Sequence, residues 1–480
     1  MDTAPAVRQE TPSGDAVTAL ESAVDGPVLL PGTDEFAAEC AGFNLLVVHR
    51  PAVVVGATGP QDVQAAVRFA VQHGLPVAVV CTGHQPFEPV QGAVLITTSR
   101  MDAVEIDVAA RTARTGAGAV WQQVVDAAAP AGLAPLNGSS AKVGVTGYVL
   151  GGGLSPTLGR TYGWAADHVR AIEIVTADGE LRRVTATAEP ELFWAVRGAK
   201  GNFGVVTAME IDLFPVSTYF GGGLFYAGEH TEAVLRAYRE WITTAPDELS
   251  SSVALLRLPP SPEVPAPLRG RLAVHVRVCF LGPAVEGERL VAPLRALAPT
   301  IIDTVMPTPY RAFASVHQDP VDPVPLRMRN ALLTGLTDEV VDALVAFGGP
   351  GSRAHGAGGA SPRCCAGAPR CGAQRCRRPG RRRERVGRRH RARRGHRARD
   401  RAAGPAHHPP PAVEHRTEVP QLHERSGRRR VRLHRADLPA AANRQARLRP
   451  RERLPAQQPQ HPARLTGAAG CRPAAEPGRG

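Results

Sequence analysis

No Phe, Trp, Tyr, Ile or Met occurs in residues 353–480 of this 480-residue chain. A folded core needs large apolar side chains to bury, and this quarter has few to offer one. Charge divides at the same place. Residues 1–352 carry 24 Lys and Arg against 36 Asp and Glu, a net of −12, whereas residues 353–480 carry 33 Arg against 8 acids, a net of +25. The overall charge of +13 is therefore a property of the last quarter alone. On composition that quarter reads as disordered; an Arg-rich tail that binds nucleic acid is the functional alternative.

Of the eight cysteines, Cys40, Cys81 and Cys279 lie in the acidic part without paired spacing, and read as reduced, mostly buried thiols. Cys364, Cys365, Cys371 and Cys376 form no C-x-x-C pair, so no metal site is expected. The N-terminus lacks a basic segment followed by an apolar stretch, and no apolar run approaches the roughly 20 residues of a membrane helix. The expectation is a soluble cytoplasmic protein with no membrane or nucleic-acid partner.

Within the acidic part, residues 1–24 are polar and expected to be frayed. Apolar runs predict strands over 52–56, 76–80, 93–97 and 104–108. The periodicity of 60–74 predicts an amphipathic helix with Val63, Val67, Phe69 and Ala70 inward. A second helix is expected over 120–131, with Trp121, Val124 and Val125 on its apolar side. Residues 172–176 and 181–184, joined by Asp178-Gly179, read as a hairpin, and 203–214 as a strand. Beyond Pro215 the pattern changes to strands at 224–226, 253–258 and 272–279 and helices at 229–244 and 284–297.

Three motifs carry chemistry. Cys81-Thr82-Gly83-His84 ends an apolar strand with a glycine-flanked histidine. Gly144-Val145-Thr146-Gly147 leads into Gly151-Gly152-Gly153. Gly201-Asn202-Phe203-Gly204-Val205-Val206 follows Glu191-Leu192-Phe193-Trp194. Glycines let backbone N–H groups approach anionic oxygens without a Cβ in the way, so such loops suit a pyrophosphate. Together these motifs resemble the FAD-linked oxidases of the berberine-bridge-enzyme type, within the vanillyl-alcohol-oxidase-like flavoproteins. The resemblance covers about residues 28–350.

That resemblance implies an α+β fold: a flexible N-terminus (1–27), a two-lobed PCMH-type FAD-binding domain (28–216), a partial sheet-plus-helix substrate domain (217–352) and the Arg-rich remainder (353–480). His84 matches the family histidine bonded to the flavin 8α-methyl carbon, although Thr82 stands where the motif has glycine; a hydrogen-bonded loop histidine is the plainer alternative. Thr82, Gly83, His84 and Gln85 would offer backbone donors to the pyrophosphate, and Pro86 cannot. Gly138-Ser139-Ser140-Ala141-Lys142-Val143-Gly144 matches the run that carries a second tether in some relatives. Ser140 replaces its cysteine, so one covalent bond is expected and not two. Gly138, Ser140, Val143, Gly144, Gly147, Gly151, Gly152 and Gly153 are expected beside the cofactor, as are Asn202, Gly204, Val205 and Val206; Asn202 reads equally well as a turn-capping side chain. Lys142 could stabilise reduced flavin, but a solvated loop lysine is the stronger reading, and Arg100 and Asp102 read as surface charges. The implied reaction is hydride transfer from an alcohol, sugar or amine-type small molecule to flavin N5, with O2 as acceptor and H2O2 as product. Many relatives take the proton with the tyrosine of a C-terminal Y-x-N motif. Val419 occupies that position and cannot, so no catalytic base is assigned and a flavin-binding remnant without turnover is the alternative.

The tail's composition is that of GC-rich DNA read out of frame. Reading each codon one base late permits E-L-E-V-R-H-L-G-A-A across Gly356 to Ala366, Y-L-N-F-M across Val419 to His423, Y-D-P-E-N-V-F across Leu448 to Leu454, and N-I-P across Gln460 to Pro462. All four resemble C-terminal signatures of the same family, in order and at one offset, although the stretch between Leu454 and Gln460 is a residue longer than the family pattern. Resequencing codons 345–365 is expected to find one base gained or lost; an intact frame there rejects the slip.

Overall fold

In the computed structural model, which describes residues 12–84, 88–352 and 363–364, the short apolar runs become the strands of a first sheet. β1 (Val28–Leu29), β2 (Val53–Gly56), β3 (Val77–Val80) and β4 (Val94–Thr97) lie in the order β1-β2-β4-β3. β2 and β3 both run parallel to β4, and nearly every residue of the three is buried, as a parallel sheet covered on both faces requires. Helices α1 (Gly14–Glu21), α2 (Asp34–Cys40) and α3 (Pro60–Gln72) accompany it. α3 buries Val63, Val67, Phe69 and Ala70, the face expected from its periodicity, and Ala66 besides.

A second, antiparallel sheet follows, in the order β5-β6-β9-β7-β8: β5 (Val104–Asp107), β6 (Thr112–Gly116), β7 (Val169–Val175), β8 (Leu181–Thr185) and β9 (Val205–Asp212). Its companions are α4 (Trp121–Ala128), α5 (Val145–Leu150), α6 (Gly159–Tyr162) and α7 (Pro190–Val196). Trp121, Val124 and Val125 of α4 sit in one core with Val149 and Leu150 of α5 and Phe193 of α7. The β7–β8 hairpin touches the first lobe: Gln64 and Arg68 of α3 both donate to the Gly179 carbonyl, at 2.8 and 3.0 Å.

The third sheet holds β10 (Thr218–Ala227), β11 (Leu249–Arg257), β12 (Leu272–Phe280), β13 (Thr300–Asp303), β14 (Met306–Pro309) and β15 (Arg363–Cys364). Its path is β13-β10-β12-β11-β15, with β14 also pairing β10. α8 (Thr231–Thr243) and α9 (Ala284–Arg295) cover one face, where Leu224, Tyr226, Val253, Leu255, Val274, Val276 and Val278 meet Val234, Leu235, Tyr238, Val291 and Leu294. α10 (Asp338–Gly348) adds Val341 to the same cluster.

Three differences from the sequence reading have physical causes. The N-terminus is not frayed from Gly14 onward: Ser13 caps α1, and Val17 and Leu20 are buried. Arg100 is not a plain surface charge, since it donates to both oxygens of Glu39, at 2.6 and 3.0 Å. β10 and β11 are longer than the apolar runs, because Gly221 to Gly223 and Ser250 to Ser252 continue them without apolar side chains.

Asp62 at the start of α3 holds the chain entering this fold. It is 2 % exposed and accepts backbone N–H bonds from Asp25 (2.8 Å), Gly26 (3.2 Å) and Thr58 (2.8 Å), besides the Thr58 hydroxyl. Burial acts to raise its carboxyl, but these four hydrogen bonds outweigh it and hold the group below the usual aspartate value. Asp62→Ala, which leaves three amides without an acceptor, is expected to lower unfolding stability by about 3 kcal/mol in urea titration. A loss under about 0.5 kcal/mol would show that water replaces the carboxylate.

Candidate cofactor site

β3 and β4 run parallel, and the loops leaving their carboxyl ends are the natural place for a ligand in such a sheet. The β3 loop is Cys81-Thr82-Gly83-His84, with Gly83 in the left-handed region at φ +56°. Beyond β4, Thr98 turns back, its N–H donating to the Val80 carbonyl at 2.7 Å. The second lobe reaches the same place through Gly144, whose N–H donates to Thr82 Oγ1 at 2.8 Å. This approach needs glycine: a Cβ on residue 144 would stand 2.8 Å from Cys81 Sγ and 3.3 Å from Thr82 Oγ1.

His84 lies at this junction. Its ring stacks on Phe43, with centroids 3.9 Å apart and 15° between planes. Thr82 Oγ1 is 3.4 Å from its Nδ1. One threonine hydroxyl thus accepts from Gly144 and neighbours the histidine, which sets where the ring can point. Burial pushes the Cys81 thiol up to about 12, so it stays neutral beside them.

The other glycine-rich elements gather around α5. Gly138 lies under the Tyr148 ring, which a Cβ there would meet at 3.0 Å. The Ser140 carbonyl accepts from Val143 N–H (3.4 Å), and the Val143 carbonyl from Trp121 N–H (3.0 Å). Gly147 accepts a 2.8 Å bond from Lys200 Nζ, and the Lys200 N–H caps the helix end at the Leu150 carbonyl. Gly152 and Gly153 accept from Ala166 and Ala165 N–H groups. Asn202 Nδ2 donates to the Ala199 carbonyl at 2.7 Å, the turn-capping role. Gly204 passes so close to β7 that a Cβ would lie 2.4 Å from the Val175 carbonyl oxygen. Val205 and Val206 point their side chains into the cores, so what they can offer a cofactor is main chain. Gln85 and Val419 lie outside the described residues.

Three residues that motif reading passed over belong here. Lys200 is one of two lysines in the chain; Lys142 is exposed, whereas burial lowers Lys200 to about 8. Thr146, at the start of α5, buries a hydroxyl without a hydrogen-bond partner among the described residues. His49 takes the Val90 N–H on Nδ1 at 3.0 Å and so fastens the return limb of the 81–90 segment. Their signals were a lone lysine before G-N-F-G, a threonine between glycines, and a histidine ending an apolar run.

Residues 51–185 match a family model described as an FAD binding domain. This segment resembles an FAD-binding domain. The chain is 31 % identical over 286 residues to (R)-6-hydroxynicotine oxidase of Paenarthrobacter nicotinovorans, covering 59 % of this chain and 60 % of that protein. An FAD-dependent monooxygenase of Fusarium proliferatum is 35 % identical over 204 residues, 42 % of this chain and 39 % of that one. Among solved structures, 6-hydroxy-D-nicotine oxidase from Arthrobacter nicotinovorans superposes with a TM-score of 0.55 at 30 % identity, over 61 % of this chain and 63 % of that one. A carbohydrate oxidase from Microdochium nivale shares the fold at a TM-score of 0.57 and 21 % identity, covering 69 % and 72 % of the two chains. The chain thus spans 60 % of the length of the nicotine oxidase. Over that span it resembles the FAD-linked oxidases of the vanillyl-alcohol-oxidase superfamily, and its relatives are enzymes.

The 51–185 segment fits such a cofactor on its own geometry: two loops meet beyond parallel strands, and Thr146 in the glycine turn buries a hydroxyl without a partner among the described residues. The chain also carries a pH sensitivity. Burial lowers His49 from 6.5 to about 4. Between those values the unfolded chain takes up a proton that the folded chain refuses, so stability falls as pH drops through this window and levels off below it. The expected loss is about 3 kcal/mol, and His49→Gln should flatten this part of the stability–pH curve. An unchanged slope in the variant would place the effect elsewhere.

Proposed function

We propose that this chain is an FAD-dependent oxidoreductase with a single flavin tether, acting on an alcohol, sugar or amine-type small molecule. The observation that carries the reading is the meeting of His84, Thr82 and Gly144 beyond the ends of β3 and β4, inside the segment that matches an FAD-binding domain. When bound, FAD supplies a hydride acceptor that O2 can reoxidise, with H2O2 as product.

The chain's own residues would bind and orient. Main chain at Thr82 and Gly83 would serve the phosphate-bearing part, Gly144 N–H would hold the Thr82 loop in place, the Phe43 stack holds the His84 ring in one plane, and Thr146 would offer a hydroxyl. Ser140 stands where a second tether would need a thiolate, which a hydroxyl does not replace. The last tyrosine, Tyr310, is no proton acceptor. Its hydroxyl lies 2.5 Å from Asn137 Oδ1, and burial pushes its pKa well above the ordinary value. Full turnover therefore depends on the frame-restored reading in which a tyrosine replaces Val419. The chain as written would bind flavin and lack a base. Similarity to nicotine and carbohydrate oxidases supports a small-molecule substrate.

Denaturing the purified protein in acid is expected to leave flavin fluorescence on the wild-type chain and to release it from His84→Ala. Complete release from the wild type would overturn the tether, while absence of flavin from the native protein would overturn the cofactor assignment.

A further inference from the structure

The third sheet has two unlike faces. Antiparallel register puts directly paired residues on the same side, and successive residues on opposite sides. Val274, Val276 and Val278 of β12 face the helices. The alternate residues, His275, Arg277 and Cys279, share the other face. Arg277 pairs with Gly223 of β10 and Ser252 of β11; Cys279 pairs with Gly221 and Ser250. This second face is turned toward the FAD-binding domain, because Cys279 and Tyr219 join the core that contains Trp121, Val149 and Leu150.

That face is polar and nonetheless deeply buried: Arg277 is 1 % exposed, His275 0 %, Ser252 3 % and Ser250 4 %. The Arg277 Nε–H donates to His275 Nδ1 at 3.1 Å, and another guanidinium N–H to the His317 carbonyl at 3.4 Å. The His275 ring is itself held by a stack on Phe225, centroids 3.9 Å apart. Two residues past His317, Asp319 accepts a short hydrogen bond from Ser139, next to Gly138 and Ser140. The guanidinium face and the glycine-rich loop of the cofactor site are thereby joined through one short segment. Finally, the Ser250 and Ser252 hydroxyls have no hydrogen-bond partner among the described residues. A buried hydroxyl without a partner is costly and points to a ligand that supplies one.

We infer that this face recognises an anionic group, a carboxylate in the first instance, on the substrate, with Arg277 as the charge and Ser250 and Ser252 as flanking donors. It deepens the oxidoreductase reading and rests on it for the identity of the site. A guanidinium is charged at every working pH and presents planar N–H groups that match a carboxylate, and hydroxyls beside it donate to the same oxygens.

The test uses benzoate and its neutral isostere benzamide, titrated into the full chain by calorimetry, with flavin content measured separately by absorbance. Benzoate is expected to bind, and Arg277→Gln to weaken it at least about tenfold, the loss of a charge-assisted hydrogen bond. Ser252→Ala is expected to weaken it less, and benzamide to respond to neither. Arg277→Lys keeps the charge and loses the planar fork, so it should fall between the wild type and Arg277→Gln, and it serves if Arg277→Gln does not fold. Benzoate that fails to bind, or binds Arg277→Gln or Arg277→Lys as tightly as the wild type, overturns the inference. Benzoate binding to protein devoid of flavin would sink the cofactor reading and leave the anion site standing.

Discussion

The hydrogen bond from the Gly144 N–H to Thr82 Oγ1 holds the candidate site together, and most of what surrounds it follows from allowing that contact. It joins the loop leaving a parallel strand of the first lobe to the glycine turn that opens α5 in the second. Neither loop could approach the other with a side chain at 144, since Cys81 Sγ already fills the space a Cβ would take. The same threonine oxygen lies beside His84, so a bond formed between lobes fixes one of the neighbours of that ring, with the Phe43 stack as another.

Packing around the contact explains why it is held so firmly. α5 is only six residues long, and a helix of that length has little stability of its own. It is fixed instead by burial of Val145, Val149 and Leu150 against Trp121 and by Lys200 bonding to Gly147 and Leu150. Placing a lysine there is unfavourable for its charge, which explains its lowered pKa. The lysine nevertheless ties the Gly201–Val206 run to the turn that Gly144 opens, so three motifs far apart in the chain form one wall.

Much of this was legible beforehand. Valine-rich runs such as 53–56 and 77–80 announce buried strands, because nothing else suits so many β-branched side chains in so short a space. The helical spacing of Val63, Val67 and Ala70, with Phe69 beside them, marks α3 for the same kind of reason. The full extent of β10 and β11 was hidden, because Gly221 to Gly223 and Ser250 to Ser252 read as loop. Those residues continue a strand only because neighbouring strands supply the hydrogen bonds, and Gly221, Gly223, Ser250 and Ser252 lie along the polar face that carries Arg277. Glycine and serine have low strand propensity, and there they obscured the signal. α1 was lost for a different reason: eight residues with two buried side chains, Val17 and Leu20, give too weak a period to read alone.

By itself, the sequence determined where a core can exist, since residues 353–480 have no aromatic, Ile or Met side chain to bury. It also marked the short segments proposed here for the cofactor, because glycine flanking a histidine and glycine opening a helix are local patterns. Only the tertiary structure decided that Thr82 would meet Gly144, that Lys200 rather than Lys142 would be the half-buried lysine, and that Arg277 would lie with two serines on the side of its sheet away from the helices. These are contacts between residues dozens of positions apart. Such pairings depend on sheet register and on the burial of apolar faces elsewhere, and local periodicity records neither.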